Sequence, residues 1–174
     1  MITTQQETFK ALKETLGIKN VMQAPKLDKI VVTMGVGKIK DKKRLAFLEQ
    51  RLATITGQAA ARRTAKKAIA NFKSRKGDLV GFQTTLRGVR ANAFFEKLVH
   101  IVFPRVKDFR GVSLKSIDDM GNISIGFREH TVFPETADED AKDVFSLACT
   151  IGTTAKDKKS AEAFLRHIGL PLQA

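Results

Sequence analysis

Apolar positions recur along the chain at helical and strand periods in turn, and glycine, proline or aspartate marks most of the changes. Phe9, Leu12 and Leu16 share a face, predicting a helix over residues 4–16 with Gly17 as its stop. Residues 26–34 follow Pro25 and are β-branched at their centre (Ile30, Val31, Val32), which predicts a strand. Gly35-Val36-Gly37 ends it in a turn or bulge. From Asp41 onward Leu45, Leu48, Leu52 and Ile55 turn inward at steps of three and four, and Gly57 closes this second helix. Residues 58–67 carry two readings. Three alanines favour helix by propensity, whereas the position between elements suits an irregular strand.

A short helical turn is expected over residues 68–72. Two extended runs, 72–75 and 80–86, should flank Lys76-Gly77-Asp78-Leu79 as a hairpin-like loop with a basic stem. The clearest amphipathic helix places Phe94, Leu98, Ile101 and Val102 on one face, widened by Phe95 and Val99, with Pro104 near its end. Lys107-Asp108-Phe109-Arg110-Gly111 follows as a polar loop with an isolated Phe. Residues 114–117 and 122–128 read as another hairpin across Met120-Gly121-Asn122, residues 144–150 as a last strand, and residues 161–168 as a closing helix. Strands and helices mix without regular βαβ alternation. The fold class is therefore α+β: a mixed, mainly antiparallel sheet with helices packed mostly on one face, in a single domain over residues 1–174.

Composition changes the picture in two ways. A chain of 174 residues with 43% hydrophobic content can build one packed core and is no disordered basic tail. Its lone Cys149 lies in an apolar stretch, so a buried inert thiol is expected and no internal disulfide is possible. Residues 1–7 have neither the basic nor the apolar region of a signal peptide, and no apolar run approaches membrane-spanning length. A soluble cytoplasmic protein with no membrane partner is the expectation.

Charge is the second. Between Glu49 and Asp78 stand eight Lys/Arg and no acidic residue: Arg51, Arg62, Arg63, Lys66, Lys67, Lys73, Arg75 and Lys76. Residues 1–87 hold 19 Lys/Arg against 6 Asp/Glu, so the net charge of +13 belongs to the first half. A solvated helix face interleaves both signs; a segregated positive run instead attracts a polyanion, most often nucleic acid.

Catalytic and cofactor chemistry finds little support. Gly35-Val36-Gly37 lacks the third glycine of a dinucleotide fingerprint and reads as a strand-ending turn. His100, His130 and His167 stand apart with no ligand-spaced partner, and His100 reads as structural. Asp118-Asp119 reads as a solvated turn former. No catalytic residue, metal or cofactor is assigned. Zinc-finger, basic-zipper and helix-turn-helix patterns for duplex DNA are likewise missing, which leaves RNA, read by phosphate, 2′-OH and stacking contacts. With no Trp or Tyr, stacking falls to Phe, His or Arg, and Phe72, Phe82, Phe109 and Phe127 stand near basic residues. For each of the four, core packing competes with stacking.

Several segments in register resemble one family: Asn20-Val21-Met22-Gln23-Ala24-Pro25-Lys26, Met34-Gly35-Val36-Gly37, Thr56-Gly57-Gln58, Phe72-Lys73-Ser74-Arg75, Thr85-Leu86-Arg87-Gly88, Pro104-Arg105-Val106-Lys107-Asp108-Phe109-Arg110-Gly111, Phe133-Pro134-Glu135 and Thr153-Thr154-Ala155-Lys156. Their order and spacing are similar to those of bacterial large-subunit ribosomal protein five, a family that binds 5S rRNA in the central protuberance. The resemblance implies a structural constituent of the large subunit that helps attach 5S rRNA. The implied rRNA-binding residues are Gln58, Thr85 and Arg87, with Thr33 standing where the family usually has Asn. Arg62, Arg63, Lys66 and Lys67 add phosphate-binding charge, Arg62 and Arg63 within a segment, Ala59-Ala60-Ala61-Arg62-Arg63, that departs from the family pattern.

The same resemblance implies that a loop over residues 73–81, with Lys73, Arg75, Lys76 and Gly77, approaches P-site tRNA. Asp108, Phe109, Arg110 and Gly111, with the acidic residues 135–143, are the implied contact to a small-subunit head protein, the thirteenth in the small-subunit series. Other large-subunit rRNA and other 5S-associated ribosomal proteins complete the implied partners. The alternative from another class is a basic protein that binds nucleic acid without preference.

Overall fold

A computed structural model describes residues 5–137 and 144–173. In chain order the main elements are α1 (Gln5–Leu16), β1 (Leu27–Gly35), α2 (Lys42–Thr56), β2 (Ala61–Thr64), β3 (Leu79–Arg87), α3 (Gly88–Lys97), α4 (Phe103–Arg105), β4 (Ile123–Phe127), β5 (Leu147–Thr153) and α5 (Lys158–His167). The strands form one five-stranded sheet in the order β2-β3-β1-β5-β4. Its pairings are antiparallel. Between β1 and β3, Val36 N–H donates to Val80 O near one end while Arg87 meets Asp28 near the other. Between β1 and β5, Thr33 reaches Ala148 and Lys26 reaches Thr154. The α+β class read from the sequence is the fold observed.

Local chemistry explains α2. Asp41 Oδ1 accepts the Lys43 N–H at 3.0 Å, and Gly57 closes the helix in the left-handed region at φ 66°, its N–H bonded to Ala53 O. The following residues settle as strand: β2 pairs antiparallel with β3, Ala61 opposite Gln83 and Arg63 opposite Gly81. Helix preferences of a few tenths of a kcal/mol per alanine cannot outweigh a ladder of backbone bonds.

Five expectations need correction. The extended run at 72–75 is absent: a 3₁₀ turn occupies Ala70–Phe72, Lys73 takes φ 51°, and Ser74 forms a single bridge to Ile69. The hairpin is β2–β3, and its loop spans residues 65–78; Gly81, placed in the loop from sequence, is a buried position of β3. Ile101, expected on the inward face, is 43% exposed. A π-helical turn, Leu98–Val102, widens the helix so that Phe103 N–H bonds Leu98 O, and Leu98, Val102 and Phe103 become the inward set. Pro104 causes it, because it has no N–H for the ordinary bond and its ring crowds the preceding turn.

The arm at 114–117 is a 3₁₀ turn, Leu114–Ser116, with Ile117 alone bridging Ile123. The last strand begins later than expected, at Leu147, because Phe145 stacks on His130 at 3.9 Å and donates its N–H to His130 Nδ1.

The chain divides into two compact units, the described residues of Met1–Ile30, Arg87–Ile125 and Thr150–Ala174, and those of Val31–Leu86 and Gly126–Cys149. In the first, α1 packs on α5, and Leu12, Phe95, Phe164 and Leu165 are buried. In the second, Leu48, Leu52 and Ile55 of α2 are buried together with Val32, Met34 and Phe82 of the strands.

Candidate nucleic-acid interface

Strand alternation sorts the second unit into a covered side and an open side. Phe82, Thr84 and Leu86 of β3 are buried, whereas Gln83 and Thr85 between them are half-exposed. On β1, Val32 and Met34 are buried and Val31 and Thr33 are not. The neighbouring edge strand β2 is exposed at all four positions. Its two arginines point opposite ways. Arg62, opposite Phe82, reaches Glu49 of α2 with three hydrogen bonds of 2.7–3.2 Å. Arg63, on the other side, donates from Nε to Gln83 Oε1 at 2.7 Å.

The open side therefore gathers Thr33, Arg63, Gln83, Thr85 and Gln58. Thr33 Oγ1 donates to Ala148 O at 3.4 Å, and Gln58 Nε2 donates to Thr85 O at 3.2 Å, which fixes the Gln58 side chain over β3. Arg62 is not brought to this group. Glu49 holds its guanidinium, raising an already high pKa through the hydrogen bond and the opposite charge.

The two acids that bracket the acid-free run both fold back onto it. Glu49 takes Arg62, and Asp78 Oδ2 accepts the Arg75 N–H at 2.7 Å, shaping the loop end. Ala65 N–H to Asp78 O and Gly77 N–H to Ala65 O close the 65–78 loop, and an inner pair between Ile69 and Ser74 closes its tip. Lys66, Lys67, Lys73, Arg75 and Lys76 are carried on it, and all five are exposed.

Beside the loop lies an open groove of about 1800 Å³. Lys66, Lys67, Lys73 and Arg75 line it; Lys76 and Gly77 do not. Lys38, Lys40 and Arg44, which the sequence reading passed over, line it as well. Their signal was the basic run from Lys38 to Arg44, broken only by Asp41 among charged residues, and Asp41 is the cap of α2.

The remaining assigned residues belong to the first unit. Arg87 Nη1 stands 3.6 Å from Asp28 Oδ2 and is otherwise exposed. Asp108 takes φ 54°, Phe109 stacks on Phe103 at 4.8 Å, and a side chain added at Gly111 would stand 3.2 Å from the backbone of Pro171 and Leu172. Val112 N–H to Pro171 O at 2.7 Å ties this loop to the chain's last described segment. Of the acidic stretch 135–143, Glu135 is exposed, while Asp138, Glu139, Asp140 and Asp143 lie outside the described residues.

Among the four phenylalanines considered for stacking, Phe82 and Phe127 are core and Phe109 is half-buried on Phe103. Phe72 alone is open, at 79% exposure. His100, expected to be structural, is exposed, because the π turn rotates its side of the helix outward. Asp118 is a turn former as expected: its carboxylate accepts from Asn122 and Met120, and those bonds hold its pKa below the usual range. Cys149 is buried, and desolvation pushes its thiol up to about 12.

Among the described residues no group of three His, Cys, Asp or Glu could hold a metal, and no helix is long and apolar enough to cross a membrane. What the second unit offers chemically is amide, hydroxyl and guanidinium groups on an open strand surface, and cations around a groove.

Comparison with known proteins agrees with this chemistry. The profile of ribosomal protein L5 matches residues 20–75, and the profile of the same ribosomal family's C-terminus matches residues 79–172. Large ribosomal subunit protein uL5 of Anaeromyxobacter sp. (strain Fw109-5) is 43% identical over 97% of this chain and 94% of its own length. The protein of that name from Rubrobacter xylanophilus is 45% identical over the same shares. That of Mycoplasma pneumoniae is 43% identical, again over 97% and 94%. The chain belongs to the ribosomal protein L5 family and is a structural component rather than an enzyme.

Proposed function

We propose that the protein is a structural constituent of the large ribosomal subunit that binds 5S rRNA and helps attach it in the central protuberance. The observation that carries this reading is the open strand surface, where Gln58 is fixed over Thr85 and Arg63 stands beside Gln83. Amide and hydroxyl groups pair with base edges and 2′-OH groups, and arginine forks onto phosphate or guanine, which are the contacts that separate RNA from other polyanions. Arg87, two residues beyond Thr85 on β3, extends the same donor chemistry along the strand. Other large-subunit rRNA and other 5S-associated proteins are the neighbours of such a constituent.

The 65–78 loop, through Lys73, Arg75, Lys76 and Gly77, approaches P-site tRNA. Arg75-Lys76-Gly77 offers two cations and a residue without a side chain, at φ 96°, to a closely approaching phosphate backbone. Residues 108–111 contact the small-subunit head protein, presenting Asp108 and Arg110 from a loop that the Phe109–Phe103 stack supports.

Two variants test the division of labour. Arg87→Ala weakens 5S rRNA binding by about 1.5–3 kcal/mol, the scale of hydrogen bonds to a charged group. Arg75→Ala combined with Lys76→Ala leaves 5S binding within twofold and weakens tRNA engagement in assembled ribosomes. Unchanged 5S affinity in a folded Arg87→Ala protein removes that residue from the site. An equal loss of 5S binding in the double variant moves the loop into it.

A further inference from the structure

The groove beside the 65–78 loop has a composition that the open strand surface lacks. One wall carries Lys38, Lys40 and Arg44, from the turn after β1 and the first turns of α2. The facing loop contributes Lys66, Lys67, Lys73 and Arg75. Among the described residues one acid, Asp78, stands against these seven cations, and its carboxylate already accepts a backbone N–H. The lining also holds apolar Ile39, Ile69, Leu79, Val80 and Phe145 beside polar Asn71 and Ser74. At the loop tip Ile69 is 47% exposed and Phe72 79% exposed, both lining the groove. Phe72 forgoes burial in the fold, at the tip of a loop closed by backbone hydrogen bonds, so a ligand that covers it gains by removing its apolar surface from water.

A groove lined by cations from two segments together with apolar and aromatic side chains matches a polymer with charged edges and flat apolar faces. Unpaired nucleic acid is such a polymer: phosphates track the basic walls and bases stack on an aromatic ring. A paired helix keeps its bases stacked on each other and offers no face to Phe72. At about 1800 Å³ the groove also exceeds small-molecule sites, which run to roughly 300–1,000 Å³.

We infer that this groove is a second RNA site, separate from the open strand surface, which holds a single-stranded segment with a base stacked on Phe72 and phosphates against Lys38, Lys40 and the loop cations. The inference rests on the RNA-binding reading above and adds to it a site, a ligand form and three basic residues.

The test uses the full chain, a fluorescent single-stranded RNA 10-mer of mixed sequence, a duplex of the same length, and 5S rRNA. Phe72→Ala, at an exposed position, lowers 10-mer affinity by roughly five- to a hundredfold, the scale of one lost stacking contact. Lys38→Ala with Lys40→Ala weakens 10-mer binding and reduces its salt slope by about 1.4, two phosphates at about 0.7 each. Both variants keep 5S binding within twofold, and Arg87→Ala shows the reverse pattern. The site is overturned if Arg87→Ala loses the 10-mer while the groove variants keep it. It is overturned equally if the duplex matches the 10-mer and ignores Phe72→Ala, or if polyglutamate displaces the 10-mer at equal charge concentration, which marks the groove as a dock for an acidic protein. Failure of the 5S reading looks different: the unsubstituted protein then shows no 5S preference, while the groove variants still lose the 10-mer.

Discussion

Arg62 and Arg87 are both exposed guanidiniums beside a carboxylate, yet their geometries separate them. Arg62 binds Glu49 with both Nε and Nη2, the closest contact at 2.7 Å, whereas Arg87 stands 3.6 Å from Asp28 through one nitrogen. The first pair is a directed fork and the second a loose surface contact, of the kind that contributes little and leaves the cation available. Glu49→Gln removes the charge that holds Arg62. Binding of random-sequence RNA by that variant gains about 0.7–0.9 in salt slope if Arg62 then turns to phosphate; an unchanged slope shows that its side of β2 does not meet RNA.

Cys149 is the opposite case, a titratable group withdrawn from chemistry. Burial favours its neutral form, so it contributes stability fully below its unfolded pKa of 9.0, and that contribution is lost as pH climbs towards about 12. Iodoacetamide at pH 8 leaves the folded thiol unmodified and alkylates it in denaturant. Rapid alkylation of the folded protein contradicts the buried placement.

At the scale of elements, glycines decide two junctions for different reasons. Gly57 ends α2 at φ 66° with open space around it, so Gly57→Ala carries only the left-handed penalty of about 1–2 kcal/mol. Gly81 lies in β3, where an added Cβ would stand 2.8 Å from Met34 O on the neighbouring strand. A backbone carbonyl cannot swing aside, so Gly81→Ala is the more destabilising of the two in urea unfolding with equal m-values. The reverse ranking contradicts the close approach of β1 and β3.

The same elements show what a sequence can convey. α2 was legible because its cap, period and terminal glycine agree. β2 was not, since four exposed positions carry no alternation and only pairing with β3 makes them a strand. The inward set of α3 and its continuation was half legible: periodicity located it, but the π turn at Pro104 shifted its phase. Gln58, Thr85 and Arg87 came from a family resemblance, and periodicity alone singled out none of them. The groove wall at Lys38, Lys40 and Arg44 was hidden because a capping aspartate interrupts the run, making a structural acid look like charge mixing.

Over the whole molecule the net charge of +13 guarantees attraction to any RNA, and attraction alone explains neither the fixed Gln58 nor the Arg63–Gln83 pair. Specific and non-specific binding differ in how they survive salt. Competitive binding of 5S rRNA and a length-matched random-sequence RNA across a salt series therefore tests the function most directly. Directed contacts predict a 5S preference that persists as salt rises, while random-RNA affinity falls with a slope of roughly 0.7–0.9 per neutralised phosphate. Equal affinities that fall together with salt would contradict 5S recognition and leave a basic protein that binds by charge alone.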